Sequence, residues 1–135
     1  MIHILVLADE PVERLWGEYG KETLRSADLI LSCGDLPESY ISYMTCFSSA
    51  PVIYVHGNHD HRYANTPVGG CICADGHVIL AKGLRILGLG GSMRYRPGGY
   101  QYTEKEMLHR ILRMRGKIHR AHGFDILLTH APARG

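Results

Sequence analysis

The sequence has little net charge and no long apolar run. Its formal net charge is +2 at pH 7, a value that favours no particular polyanionic partner. No stretch approaches the roughly 18 apolar residues of a membrane span. The N-terminal apolar run is too short for a signal peptide and lacks a basic leader. These absences predict a soluble, cytoplasmic protein.

Cysteine is also scarce, with four residues at positions 33, 46, 71 and 73. Without a secretory signal they are expected to be reduced thiols. Cys71 and Cys73 are two apart, so in a strand they share one face. No second pair completes a structural zinc set. Ordinary thiols are therefore favoured over incidental metal or redox chemistry.

The length of 135 residues predicts one domain spanning 1–135, with enough chain to bury a core. Apolar runs and helical periods predict the order βαβαβ, a β-hairpin, then αβ. The strands are expected at 2–8, 28–33, 51–55, 77–80, 84–89 and 125–129, and the helices at 12–26, 38–47 and 103–121. A loop is expected over 59–76. This order indicates a mainly parallel sheet with helices packed against it.

Polar side chains follow four of the apolar runs. The blocks are Asp9, Gly34-Asp35, Gly57-Asn58-His59-Asp60 and Thr129-His130. Ligands of open α/β sheets bind outside the carboxyl ends of the strands, so we expect these side chains to meet at one edge. Carboxylate, amide and imidazole ligands suit divalent metals such as Mn, Zn or Fe.

These blocks resemble the calcineurin-like metallophosphoesterases, whose pattern is D-x-H, G-D, G-N-H-[DE], a His and G-H-x-H. The resemblance covers nearly the whole chain and includes Gly90-Gly91-Ser92 after a strand. It implies an α/β fold of the metallophosphoesterase type, a β-sandwich flanked by helices. It also implies hydrolysis of a phosphate monoester or phosphodiester by metal-bound hydroxide, with one or two Mn, Fe or Zn ions.

The resemblance assigns metal ligation to Asp9, Asp35, Asn58 and His130. Asp35 is implied as the bridging ligand, since one carboxylate spans two cations roughly 3.5–4 Å apart. His59 is implied as the general acid, because a leaving alcohol needs a proton, and Asp60 as its hydrogen-bond partner. Ordinary alternatives remain open: helix caps for Asp9 and Asp35, a Gly-Asn turn, a loop histidine and a strand-end histidine.

The sequence departs from this family pattern at two blocks. Pro11 stands where the first block has a histidine, and no G-H-x-H block occurs before the chain ends at Gly135. We therefore expect one tighter metal position at Asp35, Asn58 and His130, and a weaker one near Asp9. We also expect the chain to act as part of a longer polypeptide or with another chain, through a C-terminal segment that completes the fold or through self-association.

Two other functions compete with an active phosphoesterase. The chain can instead be a catalytically impaired scaffold or regulatory member of the same family, or a nucleic-acid-binding or nuclease module. The nucleic-acid hypothesis is prompted by basic residues on the last predicted helix. A solvated outer face is the favoured interpretation of these residues, which are Arg110, Arg113, Arg115, Lys117 and Arg120. Arg94 is a candidate phosphate contact. The expected substrate is a phosphorylated small molecule or a nucleotide-type compound, with no membrane partner.

Overall fold

A computed structural model describes residues 2–7, 18–34, 38–57, 71–93 and 101–130. These residues form three helices and nine strands, the mixed content of an α/β protein. The strands are β1 (Ile4–Leu7), β2 (Leu29–Ser32), β3 (Val52–Tyr54), β4 (Cys71–Cys73), β5 (Val78–Ala81), β6 (Leu84–Leu89), β7 (Ser92–Met93), β8 (Gln101–Tyr102) and β9 (Ile126–Thr129). The helices are α1 (Glu18–Ser26), α2 (Glu38–Phe47) and α3 (Glu104–Arg120).

The first four strands form a parallel sheet in the order β1-β2-β3-β4. Leu31 of β2 aligns with Val6 of β1 on one side and with Ile53 of β3 on the other. All four residues of β2 are buried, as expected of an aliphatic strand that is covered on both faces. The predicted βαβαβ order and its parallel sheet are confirmed over the described residues.

One core cluster lies between this sheet and the first two helices. Leu24 of α1 and Met44 of α2 belong to it together with Ile30 and Tyr54 of the sheet, and all four side chains are buried. Burying a side chain of the size of Leu or Met stabilises the fold by about 1.5–3 kcal/mol. Apolar packing of this kind holds α1 and α2 against the sheet.

A second core cluster covers the opposite face of the same sheet. Leu31 and Ile53 join Ile86 of β6 and Leu128 of β9 in it. Neighbouring residues of β2 enter different clusters, Ile30 the first and Leu31 the second, because successive strand side chains point to opposite faces. The apolar run that predicted β2 therefore supplies two cores at once.

The second sheet has the order β5-β6-β9, with β5 and β6 antiparallel and β6 and β9 parallel. The turn between β5 and β6 places Lys82 at φ 52° and Gly83 at φ 76°. Two successive positive φ values are typical of the tight hairpin turn that matches strand twist. The predicted hairpin about Lys82-Gly83 is confirmed.

Helix α3 begins and ends where its sequence signals indicate. The Thr103 hydroxyl accepts a hydrogen bond from the Glu106 N–H, and the Glu106 carboxylate accepts one from the Thr103 N–H, which is a capping box. Gly123 follows the helix at φ +100°, and its N–H donates to the Ile118 carbonyl. Within the described residues, none of the helices has the length and apolar character to cross a bilayer.

The prediction of a loop over 59–76 is wrong near its C-terminal end. Cys71–Cys73 forms strand β4, parallel to Val52–Tyr54. A three-residue strand has too little sequence pattern to be distinguished from a loop, and pairing to β3 supplies its order. The short parallel pair of β7 and β8 was likewise not predicted. The expected first helix is confirmed over Glu18–Ser26, and its earlier residues lie outside the described ranges.

Candidate functional site

Most of the predicted site residues lie outside the described ranges. They are Asp9, Asp35, Asn58, His59, Asp60 and Arg94. His130 is described, as are Gly34 and Gly57, the first residues of the second and third blocks, and Leu7, two residues before Asp9. The geometry of the site is therefore read from the ends of the strands that lead into it.

The carboxyl ends of β1, β2 and β3 are in register. The Cys33 N–H donates to the Leu7 carbonyl at 2.8 Å, and the Val55 N–H donates to the Ser32 carbonyl at 3.1 Å. The parallel ladder thus continues past the assigned strands toward the motif blocks. The rule that sets ligand sites outside such ends applies to this edge.

Gly34 and Gly57 lie against each other through their backbones. A Cβ built on Gly34 would be 2.4 Å from the Gly57 nitrogen and 2.7 Å from its Cα. Gly34 also has φ +100°, a conformation in which glycine has no steric penalty. In sequence, Asp35 comes directly after the first glycine and Asn58 directly after the second.

His130 reaches the same edge from the second sheet. Its Nδ1 lies 2.8 Å from the Cys33 carbonyl oxygen. A carbonyl only accepts, so Nδ1 carries the hydrogen, and in the neutral ring the lone pair is on Nε2. Metal-binding histidines commonly donate one ring N–H to a backbone carbonyl and ligate through the other nitrogen. The hydrogen bond of the half-buried His130 ring is therefore compatible with metal ligation through Nε2.

The Gly90-Gly91 turn after β6 also packs at this edge. The Gly91 N–H donates to the His56 carbonyl at 2.7 Å, and a Cβ on Gly90 would be 2.6 Å from that oxygen. The His56 ring is only 7% exposed and packs edge-to-face on Tyr54, with ring centroids 5.5 Å apart. His56 is thus a core residue that presents its backbone to the turn.

Sequence reasoning missed a polar cluster behind this turn. The Asp75 carboxylate accepts the Gly90 N–H at 2.9 Å and also pairs with the Arg110 guanidinium. Arg110 in turn donates to the Gly90 carbonyl at 2.8 Å. We call Asp75, Gly90 and Arg110 the Gly90 cluster. A basic helical run carries no signal that one of its arginines binds a loop in this way.

The basic run on α3 is therefore divided between two roles. The expected solvated face is confirmed for Arg113, Arg115 and Arg120, which are exposed. It is wrong for Arg110 and for Lys117, whose ammonium donates to the Gly76 carbonyl at 2.7 Å. Helix α3 uses these two cations to hold loops of its own domain.

The cysteines behave as ordinary thiols, as expected. None of the four forms a disulfide bond, and Cys71 and Cys73 lie beside the first core cluster. Burial raises the pKa of Cys71 to about 11 and also raises that of Cys73. Both thiols are consequently protonated at neutral pH, a form that is neither a good nucleophile nor a good metal ligand.

Two contacts of the described residues bear on the expected metal site. The His130 tautomer fits a metal ligand, and the Gly34–Gly57 contact joins the two blocks that supply the expected oxygen ligands. Within the described ranges no three His, Cys, Asp or Glu side chains group as a metal site. The five side chains expected beside His130 all lie outside those ranges: Asp9, Asp35, Asn58, His59 and Asp60. A scan against protein-family models and a search of curated proteins found no match to this chain.

Proposed function

We propose that the chain is a metallophosphoesterase-type domain, with a β-sandwich flanked by helices, that hydrolyses a phosphate monoester or phosphodiester with divalent metal ions. The observation that carries the proposal is the hydrogen bond from His130 Nδ1 to the Cys33 carbonyl. It joins the fourth motif block to the strand end that leads into Gly34-Asp35, across 97 residues of sequence.

Two further contacts support the same site. Gly34 touches Gly57, and the Gly91 N–H binds the His56 carbonyl. Four separate parts of the sequence thus meet at one edge, and three of them contain or adjoin a block of the phosphoesterase pattern. A sheet built for stability alone has no need to gather these blocks together.

The proposed metal ligands are Asp9, Asp35, Asn58 and His130. When bound, divalent ions such as Mn, Fe or Zn would polarise the phosphoryl oxygens and make water more acidic. The Asp35 carboxylate would supply negative charge that offsets the charge of the bound cations. Pro11 offers no ligand, so the position near Asp9 depends on fewer side chains of this chain.

His59 and Asp60 are proposed to supply the proton that the leaving oxygen needs. An imidazole titrates near neutral pH, so His59 can hold a proton and donate it to the leaving oxygen. The Asp60 carboxylate would orient the ring and favour its protonated form. Arg94 is proposed as a donor to phosphate oxygens, a role suited to its fork of N–H groups.

The test is hydrolysis of bis-p-nitrophenyl phosphate and p-nitrophenyl phosphate by the purified chain with Mn. We expect metal-dependent turnover that Asp35→Asn abolishes and the control Glu22→Gln, an exposed carboxylate on α1, leaves unchanged. Turnover that is indifferent to metal or to Asp35→Asn would contradict the proposal. Metal binding without turnover would favour the impaired, regulatory alternative.

A further inference from the structure

We infer that Arg110 and Asp75 are positioning residues, which fix the Gly90-Gly91 turn against His56 and so hold the entry to the Gly57-Asn58-His59-Asp60 block. This inference rests on the proposed function and deepens it. It assigns a task to two residues that lie outside every motif block.

In the Gly90 cluster, both backbone polar groups of Gly90 are held by hydrogen bonds. The Gly90 N–H donates to Asp75 at 2.9 Å, and the Gly90 carbonyl accepts from Arg110 at 2.8 Å. Arg110 and Asp75 also pair with each other. Because the three contacts form a closed set, Gly90 cannot shift without breaking at least one of them.

The cluster is shielded enough for these contacts to be strong. The side chains of Arg110 and Asp75 are 18% and 14% exposed. The guanidinium carbon of Arg110 also lies 4.2 Å from the centroid of the Tyr102 ring, a cation–π contact that fixes its plane. Hydrogen bonds that involve a charged donor or acceptor are shorter and stronger than those between neutral groups.

Glycine at position 90 transmits this restraint to β3. Its missing side chain lets the turn approach the backbone of His56, and the next N–H, that of Gly91, binds the His56 carbonyl at 2.7 Å. His56 precedes Gly57, which touches Gly34. A continuous set of contacts therefore runs from the Arg110 side chain of α3, through the backbones of Gly90, Gly91 and His56, to the glycines that precede Asp35 and Asn58.

Lysine cannot replace Arg110 in this role. An ammonium is a point donor, whereas the guanidinium reaches Asp75 and the Gly90 carbonyl with two different nitrogens and stacks on Tyr102. Arg110→Lys thus keeps the positive charge but cannot make both hydrogen bonds and the stacking contact at once. Arg115→Lys, on an exposed residue of the same helix, is the matched control.

The experiment measures kcat and KM for bis-p-nitrophenyl phosphate with Mn, together with amide hydrogen exchange, in the full chain. For Arg110→Lys and Asp75→Asn we expect kcat to fall about 10–100-fold, as when the support of a metal site is lost, with KM changed less than about threefold. The Gly91 amide should exchange faster, and Arg115→Lys should match the wild type in all three measurements. The double variant should lose little more than either single variant, because the two side chains form one network.

Folded Arg110→Lys and Asp75→Asn proteins with wild-type kcat and unchanged Gly91 exchange would overturn the inference. A wild-type chain without metal-dependent turnover would instead refute the proposed function. In that event the inference is tested by hydrogen exchange alone. Exchange at the Gly91 amide that stays slow in both variants overturns the inference, and faster exchange supports the role of Arg110 and Asp75 in holding the turn.

Discussion

Gly34 and Gly57 are in direct backbone contact, and a Cβ on Gly34 would lie 2.4 Å from the Gly57 nitrogen. Each glycine follows a strand of the first sheet, and each is the first residue of a block of the proposed site. The close approach of these backbones sets the separation from which Asp35 and Asn58 extend. Glycine at position 34 is therefore needed both for its space and for its φ of +100°.

Gly34→Ala should destabilise the fold and impair metal binding together. The positive φ costs a side chain about 1–2 kcal/mol, and displacement of the neighbouring backbone adds about 1–3 kcal/mol. Gly83→Ala is the matched control, because Gly83 has φ +76° and open space around its Cβ position. Urea unfolding of both variants measures the difference, and equal losses in stability would show that the Gly34–Gly57 contact is not restrictive.

The sequence predicted the elements of this fold better than the contacts of its site. Long aliphatic runs such as 29–32 require burial on both faces, and the Thr103–Glu106 capping box needs only local sequence. Strand β4 depends instead on pairing between Cys71–Cys73 and Val52–Tyr54, which no local pattern encodes. The partnership of Arg110 with Asp75 was missed for the same reason, since it joins positions 35 residues apart.

The expected convergence of the motif blocks follows from a general rule about parallel strands, and the described residues that flank the blocks agree with it. The rule gives an edge of the sheet but no distances. The support for His130, its hydrogen bond to the Cys33 carbonyl, depends on how the second sheet lies over the first. Shared burial of Leu31 and Leu128 sets that arrangement, and periodicity alone does not specify it.

Metal titration should show one tight site per chain and a second, weaker one. Asp35, Asn58 and His130 are the ligands proposed for the tight site, whereas Pro11 leaves the position near Asp9 with fewer ligands. His130→Ala should weaken the tight site by at least the roughly 10–100-fold that loss of an outer partner costs. Calorimetry with Mn provides the measurement, with His119→Ala, exposed on α3, as the control. Two equally tight sites, or no effect of His130→Ala, would contradict the ligand assignment.

His59→Ala should slow the hydrolysis of esters with poor leaving groups by roughly 10²–10⁴, the usual contribution of general acid–base catalysis. An activated aryl phosphate should be affected much less, because its leaving group departs without a proton. Comparison of kcat for an alkyl and a p-nitrophenyl ester tests the role. Equal losses on both substrates would indicate that His59 binds metal or supports the structure instead.

The Arg85–Asp125 pair should make stability depend on pH in the acid range. The hydrogen bond from the Arg85 guanidinium lowers the pKa of Asp125 from 3.8 to about 2, with the nearest side-chain atoms 2.9 Å apart. Because the folded state has the lower pKa, this contribution is complete above about pH 4 and is lost as the pH falls toward 2. Arg85 also donates to the His122 carbonyl at 2.6 Å, so the pair joins the hairpin to the end of α3.

Asp125→Asn is the variant that tests this dependence. Its difference in unfolding free energy from the wild type should be constant near neutral pH and should narrow between about pH 4 and pH 2. Added salt should also reduce the difference, because both side chains are 34% exposed and exposed pairs are screened. A difference that stays the same down to the lowest pH at which the chain folds would exclude ionisation of Asp125 as its cause.

The uncovered side of β1 should cause this 135-residue chain to self-associate. Ile4 and Val6 align with Leu29 and Leu31 of β2, and these two leucines are buried in the second core cluster. Ile4 and Val6 are nevertheless 38% and 58% exposed, so the apolar face that is covered at β2 is open to solvent at β1. Among the described strands, β9 is at an edge of the second sheet, and an edge strand offers backbone groups to another chain.

Val6→Lys should therefore reduce association, since a charge at this position opposes both burial of the face and strand pairing. Leu80→Lys is the control, because Leu80 is 73% exposed on the β5–β6 hairpin, away from β1 in the strand order. Sedimentation velocity over a hundredfold range of concentration should show dimers or larger species for the wild type and for Leu80→Lys, and mainly monomer for Val6→Lys. A wild-type chain that stays monomeric throughout this range would show that the open face of β1 is tolerated in water, and neither a second copy nor an added segment would then be required to cover it.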